Sequence, residues 1–277
     1  MPDPFYGLNA GADPGLLPAL RDDLHFGRIR IGVHRSLHPW ADAEAILAIL
    51  TAGLQPLVIV RDAHQVLALE GIISGCDVEL WNEPDGTVDG HYQPGNYARM
   101  VSAFLAACQR VGAVPWIGAI SNLHHSGLAW LQEMLAAVSF RLAPAEAFGV
   151  SAHWYPVGRS RLNAHSGFSS RADEVEELKW IIGERPWGIS EFGFHTAPQL
   201  LIRWLPRWRW NTWAWTDQQV ADNIAQEWEF WRTQGANFCC LYQITDGQEN
   251  IAEDRFGIRR CCTDPFNWKP SAFTVPA

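Results

Sequence analysis

CDVELWNEPDG at positions 76–86, PGNYARMVSAFLAACQRVG at 94–112 and VPWIGAI at 114–120 follow one another with almost nothing between them. The first is a short apolar run that stops at Pro84. The second repeats apolar residues near a period of 3.6, with Tyr97, Val101, Phe104, Leu105, Cys108 and Val111 on one face. Pro94 suits a first helical turn and Gly112 suits its stop. The third is again a strand-like run. Together they read as strand, helix and strand, the unit that forces two neighbouring strands to run parallel.

The same unit recurs along the chain. Apolar β-like runs occupy 5–9, 28–33, 56–61, 76–82, 114–120, 148–154, 187–192 and 237–244, which makes eight. Helical stretches separate them; the one over 216–234 has Asp217 in its first turn and Gly235 just past its end. Eight such units in about 250 residues match a closed (β/α)₈ TIM barrel better than an open sheet. No GxGxxG follows the first run, since Gly7, Gly11 and Gly15 are spaced by four. No linker or low-complexity stretch divides the chain, so residues 1–277 are expected to form a single domain.

Composition narrows the function before any motif does. The net charge is −9, which argues against nucleic acid or an anionic membrane as partner, because phosphate binding needs a positive field. No run of 18 apolar residues predicts a membrane span. The N-terminal MPDPFYGLNAG lacks the basic start and apolar stretch of a secretory leader, which leaves a cytoplasmic, phage-associated or trimmed secreted chain as the expectation. Six cysteines at scattered positions suggest neither a disulfide framework nor zinc; Cys76, Cys108, Cys239 and Cys240 read as small buried hydrophobes, while Cys261 and Cys262 sit in a tail loop. No GxSxG, no HExxH and no lysine at a strand end point to a serine hydrolase, a metalloenzyme or a Schiff-base enzyme. No cofactor or metal is expected, and a neutral ligand would be indifferent to the charge.

A barrel of this kind places its site at the C-terminal ends of its strands, so polar residues just after apolar runs are the candidates. Glu83 closes the fourth run and Glu191 ends the seventh, WGISEFGF. Each alone reads as a capping or satisfied carboxylate. As a pair they face each other across a barrel mouth, and two carboxylates flanking one bond are what glycosidic cleavage requires.

The matching stretches are VELWNEPD at 78–85, VSAHWYP at 150–156, ISEFGF at 189–194, YQITDG at 242–247 with FGI and KPSAF after it, and Arg30 within RIRIGV. In these the chain resembles the retaining glycoside hydrolases of clan A, the 4/7 superfamily, which includes families 5 and 39. The resemblance implies that Glu83 is the general acid/base and Glu191 the nucleophile. It implies that Asn82 bonds the 2-hydroxyl of the sugar, that Tyr155 and Arg30 hold Glu191 ionised, and that His153 supports the same network. An arginine and a phenol beside a carboxylate favour its charged form, whereas a general acid needs a raised pKa. Simpler roles stand beside these: Arg30 pairing with a core carboxylate, His153 as a satisfied core histidine, Tyr155 as packing. Many relatives carry a tryptophan at the end of strand 8. Here Gln243 stands there beside Tyr242, and Asp246 either bonds a sugar hydroxyl or caps its loop.

Fifteen tryptophans are far above expectation, which signals either heavy packing or exposed rings that bind something flat, and RWLPRWRWNTWAWTD at 203–217 holds five of them. Aromatic faces stack on pyranose rings, so Trp208 and Trp210 are expected on a cleft wall, with a packed lid as the alternative. Interleaved Arg203, Arg207 and Arg209 would suit stacking or an acidic sugar. Trp81, Trp116 and Trp154 near strand ends are expected to line the cleft, and His124 and His125 to approach it. The resulting expectation is a retaining hydrolase of a β-linked oligo- or polysaccharide. Its rivals are a barrel that binds polysaccharide without cutting it, within a surface or phage assembly, and a lytic glycanase of bacterial wall or exopolysaccharide.

Overall fold

The structure, a computed structural model, describes residues 1–10, 13, 15–33, 38–86, 92–139, 147–155, 170–194, 215–243, 258 and 268–276. Eight strands, β1 Tyr6–Asn9, β2 Arg28–Gly32, β3 Gln55–Val60, β4 Asp77–Leu80, β5 Val114–Ile120, β6 Gly149–Trp154, β7 Trp187–Phe192 and β8 Cys239–Leu241, close into a barrel in sequence order. Every neighbouring pair is parallel, including β1 with β8. Helices α1 Leu17–Asp22, α2 Pro39–Thr51, α3 Ala63–Ala68, α4 Pro94–Val111, α5 His125–Ser139, α6 Arg171–Ile182 and α7 Asp217–Thr233 follow β1 to β7 in turn. This is the (β/α)₈ barrel that the eight apolar runs foretold.

Local chemistry sets the helix ends. Pro94 opens α4, and Gly112 ends it in the left-handed conformation at φ 74. Thr216 caps α7 with a reciprocal capping box to Gln219, one turn of chemistry that the spacing of Asp217 and Gly235 had only bracketed. The four described cysteines are free and buried, as their apolar surroundings suggested; Cys261 and Cys262 lie outside the described residues. No helix among the described residues is long and apolar enough to cross a membrane.

The barrel interior is filled in layers. At its floor Arg28 pairs with Asp77, Asp77 also accepts from Trp116 Nε1 at 2.7 Å, and Arg28 lies 4.7 Å above the Phe238 ring. Trp116 and Phe238 meet edge to face at 4.6 Å, with Leu57 and Cys240 completing the cluster. The Trp116 ring fits because the residue of β6 beside it, Gly149, carries no side chain. A Cβ on Gly149 would come within 2.3 Å of the Trp116 ring. Above this floor, toward the C-terminal ends, the interior turns polar, with Arg30 and Glu79 fully buried.

Register shifts interrupt the ladder at Gly118/Ile120, at Ala152/His153 and between Ile189 and Phe192. The second sets the site. Ala152 pairs with Ile189, but His153 pairs with Glu191, so Ser190 is the extra residue of a bulge. A bulge of this kind re-aims the side chain that follows it. Without it, Glu191 would fall out of step with His153.

Candidate active site

Beyond Leu80 the chain leaves β4 through a tight turn in which Trp81 and Glu83 hold left-handed φ values of 64 and 44. Residues with a Cβ enter that region at a cost on the order of 1–3 kcal/mol, and only where the surroundings impose it. Here they do. Glu83 N–H donates to the Ala119 carbonyl at 3.1 Å, and Gly86 N–H closes the turn onto the Glu83 carbonyl at 2.9 Å. Asp85 straps the turn to the end of β5, accepting from Ser121 N–H at 2.8 Å and from Ser121 Oγ at 3.0 Å. Burial raises the Asp85 carboxyl above its usual range, although both Ser121 bonds oppose this.

This turn and the β7 bulge bring Glu83 and Glu191 together. A carboxylate oxygen of each and a ring nitrogen of His153 all lie within 4.8 Å of one another. The surroundings of the two carboxylates differ. Glu191 Oε1 receives Arg30 Nη1, and Glu191 Oε2 receives the Tyr155 hydroxyl at 2.6 Å. Burial by itself would raise the Glu191 pKa; His153, Arg30 and Tyr155 outweigh it and hold the carboxyl below its ordinary value. Burial and the Glu191 charge push the Tyr155 phenol well above its usual value, so it remains a donor at every working pH. Glu83 is more open, its side chain 22% exposed, and accepts from His153 Nδ1 at 3.0 Å.

The tautomer of His153 follows from its neighbours. Nδ1 faces carboxylate oxygens of Glu83 and Glu191, whereas Arg30 Nη2, 3.4 Å from Nε2, is a donor and offers that nitrogen no acceptor, so in the neutral ring Nδ1 carries the proton. That proton points at Glu83 Oε1, and Nδ1 itself lies 3.6 Å from Glu191 Oε2. Burial lowers the His153 pKa, but Glu191 and the bond to Glu83 reverse this and the ring stands above its usual value.

Arg30 organises the layer beneath. Its Nε donates to Glu79 Oε2 at 2.8 Å, its Nη2 to Glu79 Oε2 and to Asn82 Oδ1 at 2.7 Å, and its Nη1 to Asn9 Oδ1 at 2.9 Å and to Glu191. Burial opposes the guanidinium charge, yet Glu79 and Glu191 more than offset it and raise the pKa further. Arg30 thus pairs a core carboxylate and Glu191 at once. Sequence reasoning missed Glu79 and Asn9. The signal for Glu79 was present: an acid in the middle of an apolar strand, two residues after the inward-facing Asp77.

The structure thus gathers Arg30, Asn82, Glu83, His153, Tyr155 and Glu191 at one mouth. Tyr242 joins them, its ring edge-on to Tyr155 at 6.2 Å, and Gln243 follows it at the end of β8. Trp81 is half-buried in the β4 turn against Tyr92, ring centres 5.6 Å apart. Two aromatic expectations are corrected. Trp116 is on the barrel floor, because the third residue of β5 lies below the mouth and its indole is held by Asp77. Trp154 faces outward between His153 and Tyr155, as alternation along a strand demands; it packs on Trp231 and Phe194 and donates to Glu174 at 3.1 Å. His124 caps the start of α5, its Nδ1 accepting from Gly127 N–H at 3.0 Å. Asp246, Trp208 and Trp210 lie outside the described residues.

The spacing of Glu83, His153 and Glu191 would also admit a small cation. Arg30, permanently charged and bonded to Glu191, works against one in the same cluster.

Fold and site together define a (β/α)₈ barrel with a carboxylate pair at the ends of its fourth and seventh strands. No family model matches the chain, and no curated protein matches it by sequence. Solved structures match its fold over nearly the whole length. The family 128 (subgroup II) endo-β-1,3-glucanase of Pseudomonas viridiflava is 13% identical with a TM-score of 0.65, covering 99% of this chain and 98% of that one. The family 17 β-1,3-glucanosyltransferase of Rhizomucor miehei is 11% identical with a TM-score of 0.63, covering 92% and 93%. A fungal β-1,4-galactanase structure is 9% identical with a TM-score of 0.66, covering 98% of each chain.

Proposed function

We propose that this protein is a retaining glycoside hydrolase of a β-linked oligo- or polysaccharide, with residues 1–277 as one catalytic domain. The observation that carries the reading is the approach of Glu83 and Glu191 to within 4.8 Å in unlike surroundings. Retaining enzymes hold their two carboxyl groups about 5–5.5 Å apart, inverting enzymes roughly 6.5–9.5 Å, because inversion must fit a water between them. One oxygen of each carboxylate within 4.8 Å of the other fits the closer, retaining arrangement and supports direct attack. Glu191, ionised by Arg30 and Tyr155, attacks the anomeric carbon while Glu83 protonates the leaving oxygen. The covalent glycosyl-enzyme on Glu191 is then opened by water that Glu83 deprotonates, and Glu191 leaves as the carboxylate. Asn82, its Oδ1 engaged by Arg30, orients Nδ2 away from the guanidinium, where a sugar 2-hydroxyl would accept from it.

The solved structures of similar fold include endo-β-1,3-glucanases, a β-1,3-glucanosyltransferase crystallised with laminaritriose and a β-1,4-galactanase. We take β-1,3-glucan and β-1,4-galactan as the first substrates to assay. Product sizing on a glycan panel tests the class. Proton NMR of the first-formed product is expected to show the anomer of the substrate, and the opposite anomer would refute double displacement. Glu191→Ala is expected to abolish turnover while the folded spectrum persists; normal activity in that variant would overturn the assignment.

A further inference from the structure

A carboxylate nucleophile needs a compromise. A positive neighbour keeps it ionised, but too much positive charge makes it a poor base and a poor nucleophile. Arg30 is fully buried and reaches Glu191 directly. Left to itself in so dry a site, one guanidinium would hold Glu191 very firmly as a spectator anion. The layer below supplies a second carboxylate on the opposite side of that guanidinium. Glu79 is 0% exposed, sits on β4, and takes two of the N–H groups of Arg30 on a single oxygen, Oε2. Its other oxygen, Oε1, is buried and finds no hydrogen-bond partner among the described residues. A fully buried carboxylate is costly unless it is paired, and here the pairing group is Arg30, the same guanidinium that reaches Glu191.

We propose that Glu79 is a positioning residue for Glu191, acting through Arg30: it fixes the guanidinium plane and takes up part of its charge, leaving Glu191 basic enough to attack. This rests on the reading of Glu191 as nucleophile. The groups that face the pair from every surrounding strand are consistent with it. Asn9 from β1 and Asn82 after β4 are neutral acceptors, so they orient Arg30 without discharging it. His153 from β6 and Tyr155 beyond it donate toward Glu191, Glu83 faces His153, and Asp85, held by Ser121, feels the charge of that histidine. Cys240 from β8 is buried nearby and its thiol is pushed up to about 12, so it is neutral. Arg28, one layer down, is taken by Asp77, and Tyr97 from α4 stays neutral in its buried position. That leaves Glu79 as the countercharge in direct contact with Arg30 other than Glu191 itself, among the described residues.

The test is Glu79→Gln, which keeps an acceptor for Arg30 and removes the charge. Two carboxylates on either side of one guanidinium interact by an amount that, at an effective dielectric of about 20, corresponds to a shift on the order of one pH unit. In the folded variant the Glu191 carboxyl carbon, followed by ¹³C NMR, is expected to titrate about one unit lower than in the wild type. The acid limb of kcat/KM should move down equally, with kcat reduced several-fold and KM little changed. A merely structural role predicts the opposite sign. If Glu79 only anchored Arg30, its loss would free the guanidinium from Glu191 and the titration would move upward. An unchanged or raised midpoint therefore overturns the proposal. Should Glu79→Gln fail to fold, Glu79→Asp carries the test. With the charge kept, the midpoint should stay at the wild-type value, and a fall of about one unit would overturn the idea. The NMR readout does not depend on turnover, so an inactive protein with the expected shift would count against the hydrolase reading alone.

Discussion

Tyr155→Phe removes one hydroxyl and leaves the ring, and the consequence can be worked from the structure. The lost bond, 2.6 Å from a phenol to Glu191 Oε2, is a neutral donor to a buried carboxylate. Bonds to charged groups contribute about 1.5–3 kcal/mol. One pKa unit equals about 1.36 kcal/mol, so the Glu191 carboxyl should rise by roughly one to two units. The sign is fixed by the direction already present. Glu191 is held below its ordinary value in the fold, and losing a donor moves it back up. The acid limb of kcat/KM, which reports ionisation of the free nucleophile, should therefore move to higher pH by that amount. On the plateau kcat should fall about tenfold, because Glu191 also loses half of its orientation and reactions of this kind are sensitive to placement. Stability follows the same linkage. The depressed carboxyl contributes stability that is present above its unfolded pKa and lost as pH falls through its folded one. The variant should thus lose less stability on acidification than the wild type. The assay is a pH–rate profile on an activated aryl glycoside, beside thermal melts at several pH values. An acid limb that stays in place, or moves downward, in a variant that still melts cooperatively would refute this account of Glu191.

Three further outcomes are expected. Glu83→Ala should lose most activity on poor leaving groups and recover part of the rate with azide on an activated substrate, giving a glycosyl azide; no rescue by any small nucleophile would remove Glu83 from its role. Asp85→Asn should loosen the strap to Ser121 that holds Glu83 in its left-handed turn, lowering kcat several-fold with KM nearly constant; a change in KM alone would show that Asp85 meets the substrate instead. Trp116→Phe should lower stability by about 1.5–3 kcal/mol in urea titration, since it loses a hydrogen bond to the ionised Asp77, and should leave KM unchanged; a raised KM would return Trp116 to the cleft.

Much of this site was written in the chain before any coordinates. Glu83, Glu191, Tyr155 and His153 each stand at or beside the end of an apolar run, and barrel closure alone carries such ends to one face; Arg30 lies inside its run, one layer below. The aromatic expectations fared differently for a physical reason. Nearness to a strand end along the chain does not say which way a side chain points. Trp154 is flanked by His153 and Tyr155, both of which face the mouth, so pleating sends it outward to Trp231 and Phe194. Trp116 is inward but two layers too low.

Periodicity determined the fold, because a helix cannot hide a 3.6-residue stripe, nor a buried strand its apolar run, except by packing one on the other in alternation. Residue type and order determined the pair of acids. The tertiary structure decided everything that depends on fractions of a residue. A one-residue bulge at Ser190 puts Glu191 in step with His153, the Asp85–Ser121 strap fixes Glu83 at a left-handed φ, and a charge layer from Glu79 through Arg30 reaches Glu191. Such features arise from contacts between residues 36 to 161 positions apart, and no local pattern encodes them.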